Sequence, residues 1–415
     1  MRLATDVPLS DGQGLHEDPE GRILISNRFH PVHADTLERP APKWPGMLAA
    51  FMTCVLLSGQ ALALTVTDVL GRQVELAGPA DKIILGEGRF LAVLGVLGVE
   101  RPLERVAGMM NEFRRFDPVG FDRYRRAFLE IDRIPTFGQI TEDSVSVEQA
   151  ILASPDVAIF GVQGHGPGAK AHHIIDRLEA AGIPVVFIDF RQQPLANTAR
   201  SVEIVGRVLG LEDAAERFKT FYETAVEEVT GRLRRNPPEH CPSVLLELRV
   251  DTDRRCCITV GKGMFADLVE AAGGCNVAKD LLPGAVGELS LEHVIASAPE
   301  VYIGSAVGDA SAASAAAPTR IVLGPGVDPE TARTSLKAVL ERPGFADMPA
   351  VVEGRAHALW HHFYNSPLNV YALQRIATWL HPERFADLEP ERTLERLLAG
   401  FAPVDLAGTY AISNR

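Results

Sequence analysis

Residues 360–364 read Trp-His-His-Phe-Tyr, two neighbouring histidines set among three aromatics. Trp360, His361, His362, Phe363 and Tyr364 could stack on a planar or aromatic-rich ligand while the imidazoles supply hydrogen bonds or a metal ligand. The bland alternative is that Trp360 and Phe363 are core and the two histidines are satisfied loop residues. Helical zinc spacing does not apply to the His357–His361 pair, because the segment before it reads as strand. A second set of candidates is cationic: planar guanidinium groups suit oxygen-rich anions, which makes Arg89, Arg114, Arg115 and Arg249 candidates. Arg114 and Arg115 fit a solvated surface better. No nucleophile elbow, phosphate loop or HExxH is present, which argues against catalysis.

These residues need elements to position them, and the chain advertises its elements through a repeat. Residues 146–159 read SVEQAILASPDVAI and residues 290–303 read SLEHVIASAPEVYI. Counted from Glu148 and Glu292, both place Ser two before, Pro seven after and Ile eleven after. The pattern predicts a short amphipathic helix stopped by proline, then a buried strand. Two copies about one domain apart predict two similar lobes. Strand and helix alternate on either side of a strandless stretch, as in a parallel sheet covered on both faces. The predicted fold is therefore α/β, two Rossmann-like lobes joined by one long helix.

The expected boundaries are a leader over 1–63, an N-terminal lobe over 64–208, an interlobe helix over 209–236, a C-terminal lobe over 237–385 and a helical tail over 386–415. Within them, Ser243–Val250 and Ala350–Leu359 are expected strands, and the small-residue stretch Gly304–Arg320 a loop. In such sheets ligands bind beyond the carboxyl ends of the strands. That rule selects Glu87 and Arg89 after the first strand, His165 after the repeat strand and Arg191 before the long helix. In the second lobe it selects Arg249, Lys262 and the run from Trp360 to Tyr364.

With 415 residues the chain is long enough for two cores, and its net charge of −13 argues against a nucleic-acid partner. Met47–Ala63 is an apolar run ending in Ala-Leu-Ala, the pattern of an exported chain's cleavage site. Residues 1–46 lie outside the natural product if the true start codon is downstream. Cys54 lies in that run and matches a lipoprotein site poorly, so a soluble exported protein is expected. Among Cys241, Cys256, Cys257 and Cys275, either Cys275 bridges Cys256 or Cys257, or all are free thiols. The lack of a CxxC pair disfavours zinc.

The segments RIPTFG with SVEQAILASPDVAIFG, VGKGMFADLVEAAGGCNVAKDL, GELSLEHVIASAPEVYIG and EGRAHALWHHFYNSP occur in an order that resembles a known family. That family is the substrate-binding proteins of ABC importers for iron–siderophores, haem and cobalamin, and the resemblance covers about residues 64–385. It implies a periplasmic, monomeric, non-enzymatic protein without a resident cofactor. It also implies that Glu148 and Glu292 dock into an ABC permease at the inner membrane. The implied cargo is a chelated metal, with a ferric siderophore favoured and haem or cobalamin as alternatives. A fully chelated ion needs no protein ligand, so no residue is assigned to metal. Gly86-Glu87-Gly88-Arg89 departs from the family's Ser-Pro and Thr-Glu, so cargo identity does not carry across. A metalloenzyme or metal-cofactor protein using His165, His172, His173, His361 and His362 is the reading from another class.

Overall fold

The computed structural model describes residues 64–251, 256–308 and 318–415. The expected leader and cleavage site fall outside these residues, as does the middle of the small-residue stretch. The chain opens with a hairpin, β1 (Leu64–Thr67) and β2 (Gln73–Leu76), turning at Gly71 with φ of 80°. The first lobe's sheet is parallel and ordered β4-β3-β5-β6, from β3 (Ile83–Leu85), β4 (Val106–Met109), β5 (Val157–Gly161) and β6 (Val185–Ile188). Strand β5 is buried along its length, as its continuous apolar run requires when helices cover both faces. Those helices include α1 (Leu91–Val96), α2 (Glu112–Phe116), α3 (Pro118–Ala127), α4 (Val147–Leu152) and α5 (His172–Ala180).

After β6 come α6 (Pro194–Leu209) and α7 (Glu212–Arg235), broken where Gly210 adopts the left-handed conformation that closes a helix. The second lobe contributes β7 (Ser243–Glu247), β8 (Ile258–Val260), α8 (Met264–Ala271), β9 (Cys275–Asn276), β10 (Val286–Glu288), α9 (Leu291–Ser297), β11 (Val301–Ala306) and β12 (Gly324–Pro325). Then follow α10 (Pro329–Leu340), α11 (Pro349–Val352), β13 (Ala356–Trp360), α12 (Asn369–Leu380), α13 (Pro390–Leu398), β14 (Gly408–Thr409) and β15 (Ala411–Ser413). The second sheet runs β15-β13-β11-β7-β9, parallel except for β15 at its edge.

Both repeat units fold as expected, α4–β5 and α9–β11. Ser146 and Ser290 cap their helices by accepting from the backbone N–H groups of Gln149 and His293. Helix α7 is tied to both lobes inside the core. Tyr222 on α7 donates to Asn369 Oδ1 on α12 at 2.8 Å, and Asn369 Nδ2 donates to Thr198 on α6 at 2.8 Å.

Four expectations need correction. Residues 386–415 are not a helical tail: after α13 the chain forms β14 and β15, and β15 extends the second sheet. On the way it crosses to the first lobe, where the Phe401 ring lies so close to Gly95 that a Cβ there would come within 2.5 Å. Asp405 pairs with Arg123 on α3 at 2.8 Å. The expected strand Ala350–Leu359 begins as helix α11, because Pro349 starts a turn before the β-branched residues can extend. Gly304–Ala306 belongs to β11 and not to a loop.

The cysteines pair as Cys241–Cys275 and Cys256–Cys257, neither bridge being among those expected for Cys275. The physical reason is register: β9 joins β7 in parallel with Ser243 opposite Cys275, which carries Cys275 to Cys241. Opening a bridge of 34-residue separation frees unfolded-chain entropy worth about 3–4 kcal/mol. Replacing Cys241 and Cys275 by serine is therefore expected to lower the melting temperature by several degrees in calorimetry, and an unchanged midpoint would contradict the pairing.

Candidate functional site

The carboxyl ends of the two sheets bring together most of the candidates. Strand β3 runs out into Gly86-Glu87-Gly88-Arg89, and both charged side chains are buried. Glu87 reaches the loop after β5, where its Oε1 accepts the His165 backbone N–H at 3.0 Å. A Cβ at Gly164 would lie 1.8 Å from that oxygen, so glycine is the residue that lets the carboxylate approach. Arg89 donates to Glu87 Oε2 at 2.7 Å and lies 3.4 Å from Glu112 Oε1. Glu112, at the start of α2, also accepts the backbone N–H groups of Gly88 and Arg89 at 2.8 and 3.1 Å.

Across from this cluster, Trp360 closes β13, and His361–Asn365 form a tight helical turn that is wholly buried. Arg89 Nη1 donates to His362 Nδ1 at 2.9 Å and to the Tyr364 hydroxyl at 3.3 Å. His362 Nε2 donates to the Phe116 carbonyl at 3.0 Å, and these two bonds together fix the imidazole as its neutral Nε2–H form. Asn365 donates to Glu87 at 2.8 Å, and Arg191 donates to the Tyr364 hydroxyl at 2.6 Å. The lobes thus meet through a continuous polar network.

Three guanidinium groups converge on two rings in this network. Arg89 and Arg249 lie 5.8 and 5.7 Å from the Phe116 ring, and Arg89 and Arg191 lie 5.8 and 4.7 Å from the Tyr364 ring. His165 lies tilted against Phe116 at 4.4 Å, and His361 lies 4.7 Å from Tyr364 while its Nδ1 meets Ser305 at 2.9 Å. Burial, reinforced by the arginines, holds His361 and His362 well below the usual imidazole range and His165 down to about 4. Burial pushes the Glu112 carboxyl up to about 7 against the pull of Arg89. Burial also acts to raise Glu87, but Arg89, Arg191 and His165 outweigh it and the carboxyl titrates low.

The structure therefore gathers Glu87, Arg89, His165, Arg191, Arg249, His361, His362 and Tyr364. Trp360 and Phe363 pack edge-to-face at 5.2 Å and belong to the core cluster. Lys262 is exposed and outside the network. Arg114 pairs with Asp132 at 2.6 Å on the surface. Glu148 and Glu292 are exposed in the first turns of α4 and α9, and Glu148 already meets Arg177.

Sequence reasoning missed Glu112, Phe116, Ser305 and Asn365. Glu112 and Phe116 lie just past β4, so the strand-end rule would have found them had it been applied there. Among the described residues one group, Glu247 with Cys256 and Cys257, has ligand atoms close enough for a metal. Its sulfurs are bonded to each other, and Glu247 is occupied by Arg342 and Tyr302 at 2.6 Å each. No helix among the described residues is long and apolar enough to cross a membrane.

The chain matches the family model for periplasmic binding proteins over residues 127–359. No curated protein matches it significantly. It is similar in fold to a TroA-like periplasmic binding protein, FepB, from Veillonella parvula, with TM-score 0.74 and 23% identity over 85% of this chain and 100% of that one. It is also similar to the molybdate-bound MolA of Haemophilus influenzae, with TM-score 0.61 and 16% identity over 83% and 99%. A solute-binding protein from Sulfurospirillum deleyianum gives TM-score 0.61 and 18% identity over 83% and 96%.

The raised Glu112 carboxyl has a consequence for stability. Its folded pKa of about 7 exceeds the free value of 4.5, so its contribution is fullest below about pH 4.5 and is lost as pH rises through about 7. Glu87 acts in the opposite sense. Glu112→Gln keeps an acceptor for Gly88 and removes the titration. Denaturant melts across that window should show the native protein losing stability relative to the variant as pH rises, and parallel curves would contradict the assignment.

Proposed function

We propose, from the premise that this chain belongs to the periplasmic binding protein family, that it carries an anionic metal chelate, favoured as a ferric siderophore, to an ABC permease. It does so as an exported, soluble monomer without catalysis. The observation behind the choice of cargo is the convergence of Arg89, Arg191 and Arg249 on Phe116 and Tyr364. Guanidinium groups bind carboxylate and catecholate oxygens through paired, charge-assisted hydrogen bonds. The neutral imidazoles beside them add directional bonds without adding charge. Trp360 and Phe363 are committed to the core, which leaves fewer exposed rings for a haem or cobalamin face.

A cargo of siderophore size enters only if the lobes part enough to break the bonds of Arg89 to His362 and of Arg191 to Tyr364. With α7 tied to α6 and α12, and the C-terminal segment touching both lobes, that motion is small compared with hinges made of crossing strands. The N-terminal lobe of 64–208 and the C-terminal lobe of 237–385 move as the two bodies around the 209–236 helix. Glu148 and Glu292, one on each repeat helix, present a matched pair of carboxylates to a two-fold permease. Surface ion pairs of this kind set orientation more than affinity.

Calorimetric titration of the purified protein with ferric carboxylate and catecholate siderophores, haem, cobalamin and molybdate tests the cargo. Binding of an anionic ferric siderophore at micromolar or tighter affinity is expected, and binding of haem or cobalamin alone would replace this reading. For docking, Glu148→Ala combined with Glu292→Ala is expected to abolish uptake in cells while cargo affinity stays near native. An equal fall in affinity would place those residues elsewhere in the mechanism.

A further inference from the structure

Behind the interlobe network, and sharing Arg89, His362 and Asn365 with it, lies a cavity of about 50 Å³ lined by both lobes and the C-terminal segment. Phe113, Tyr124, Trp360, Phe401 and Tyr410 contribute rings to its wall, and Asp117 contributes a carboxyl. We propose that this cavity is a second binding site, one that takes a small hydroxyalkyl ammonium ion of the choline type. The proposal does not depend on which cargo occupies the cleft.

Charge accounting on the wall points to a cation. Asp117 is 5% exposed and caps α3, where its Oδ1 accepts the Gly120 N–H at 3.0 Å. It makes no ion pair among the described residues. Burial pushes its carboxyl up to about 6, and the Gly120 N–H and the nearby Arg89, itself bonded to Glu87 and Glu112, offset only part of that rise. The other ionisable groups on the wall are already balanced. Arg89 is bonded to Glu87 and Glu112, and His362 is neutral with both nitrogens engaged. A ligand that balances the wall therefore brings one positive charge to Asp117.

The rest of the wall narrows the class of cation. Five aromatic rings around one carboxylate favour an alkylated ammonium over a strongly hydrated inorganic ion, because ring faces attract cations that shed water cheaply. Trp360 Nε1 is buried without a partner and would be satisfied by a ligand hydroxyl next to the ammonium. A cavity of about 50 Å³ holds on the order of three to five waters, comparable to the bulk of choline.

Calorimetry on the full chain near neutral pH, with choline as probe and 3,3-dimethyl-1-butanol as its uncharged isostere, tests the site. Choline is expected to bind at least about tenfold more tightly than the neutral alcohol, since one ionic and several ring contacts separate them. Asp117→Asn, which keeps a side chain suited to capping α3, should erase that preference. Ala92→Leu, which fills the cavity from the α1 side, should abolish choline binding without touching Asp117. This second variant keeps the test decisive if the first fails to fold. The site is refuted if choline does not bind by about 10 mM, if the neutral alcohol binds equally well, or if either folded variant binds choline like the native protein.

Discussion

A guanidinium buried between two lobes is the constraint to which the surrounding structure answers. Arg89 loses its hydration, and a buried charge persists only when it is paired and hydrogen-bonded. Glu87 and Glu112 supply the pairing, and His362 and Tyr364 accept the remaining protons from the opposite lobe. The neighbours follow from this. Glycine stands at 164 so that Glu87 can approach, His362 is locked into one neutral tautomer, and Glu112 takes a proton near neutral pH because it is buried and the neighbouring Glu87 carboxylate adds to that rise. Removing any one member would leave an unpaired group in the interior, where the cost is greatest.

The same network suits the capture and release proposed above. Its interlobe bonds are directional, so an anionic cargo offering oxygens to Arg89, Arg191 and Arg249 would compete for donors that are already oriented. The lobes themselves stay linked by more than one connection. Helix α7 carries Tyr222 into a buried contact with Asn369, and the segment after α13 passes over Gly95 before its last strand joins the second sheet. A single strut was the expectation from sequence; the observed C-terminal segment adds a second tie that helical periodicity alone could not reveal.

What the sequence disclosed is what local pattern encodes. The SxE…P repeat predicted both helix–strand units because cap, apolar spacing, proline stop and buried run all lie within fourteen residues. The strand-end rule found eight of the residues gathered at the lobe interface. Apart from the local turn that Pro349 starts, the main failures are long-range. β15 is three residues long, and its place beside β13 depends on a partner more than fifty positions away. The Cys241–Cys275 bridge follows from strand register rather than from cysteine spacing. Trp360 was expected among the cleft aromatics; Phe363 and Tyr410 pack against it, and it also lines the small cavity beside Arg89. Glu112 was not singled out at all, and the packing of α2 against the Gly88 turn is what brings it into the network.

The central claim is that cargo binds where the three guanidiniums converge. The most direct measurement is a crystal structure of the protein with its ferric chelate bound. The account predicts chelate oxygens within hydrogen-bond reach of Arg191 and Arg249, with the bonds from Arg89 to His362 and Tyr364 broken or lengthened. A chelate bound elsewhere, with the Arg89 network intact, would contradict it.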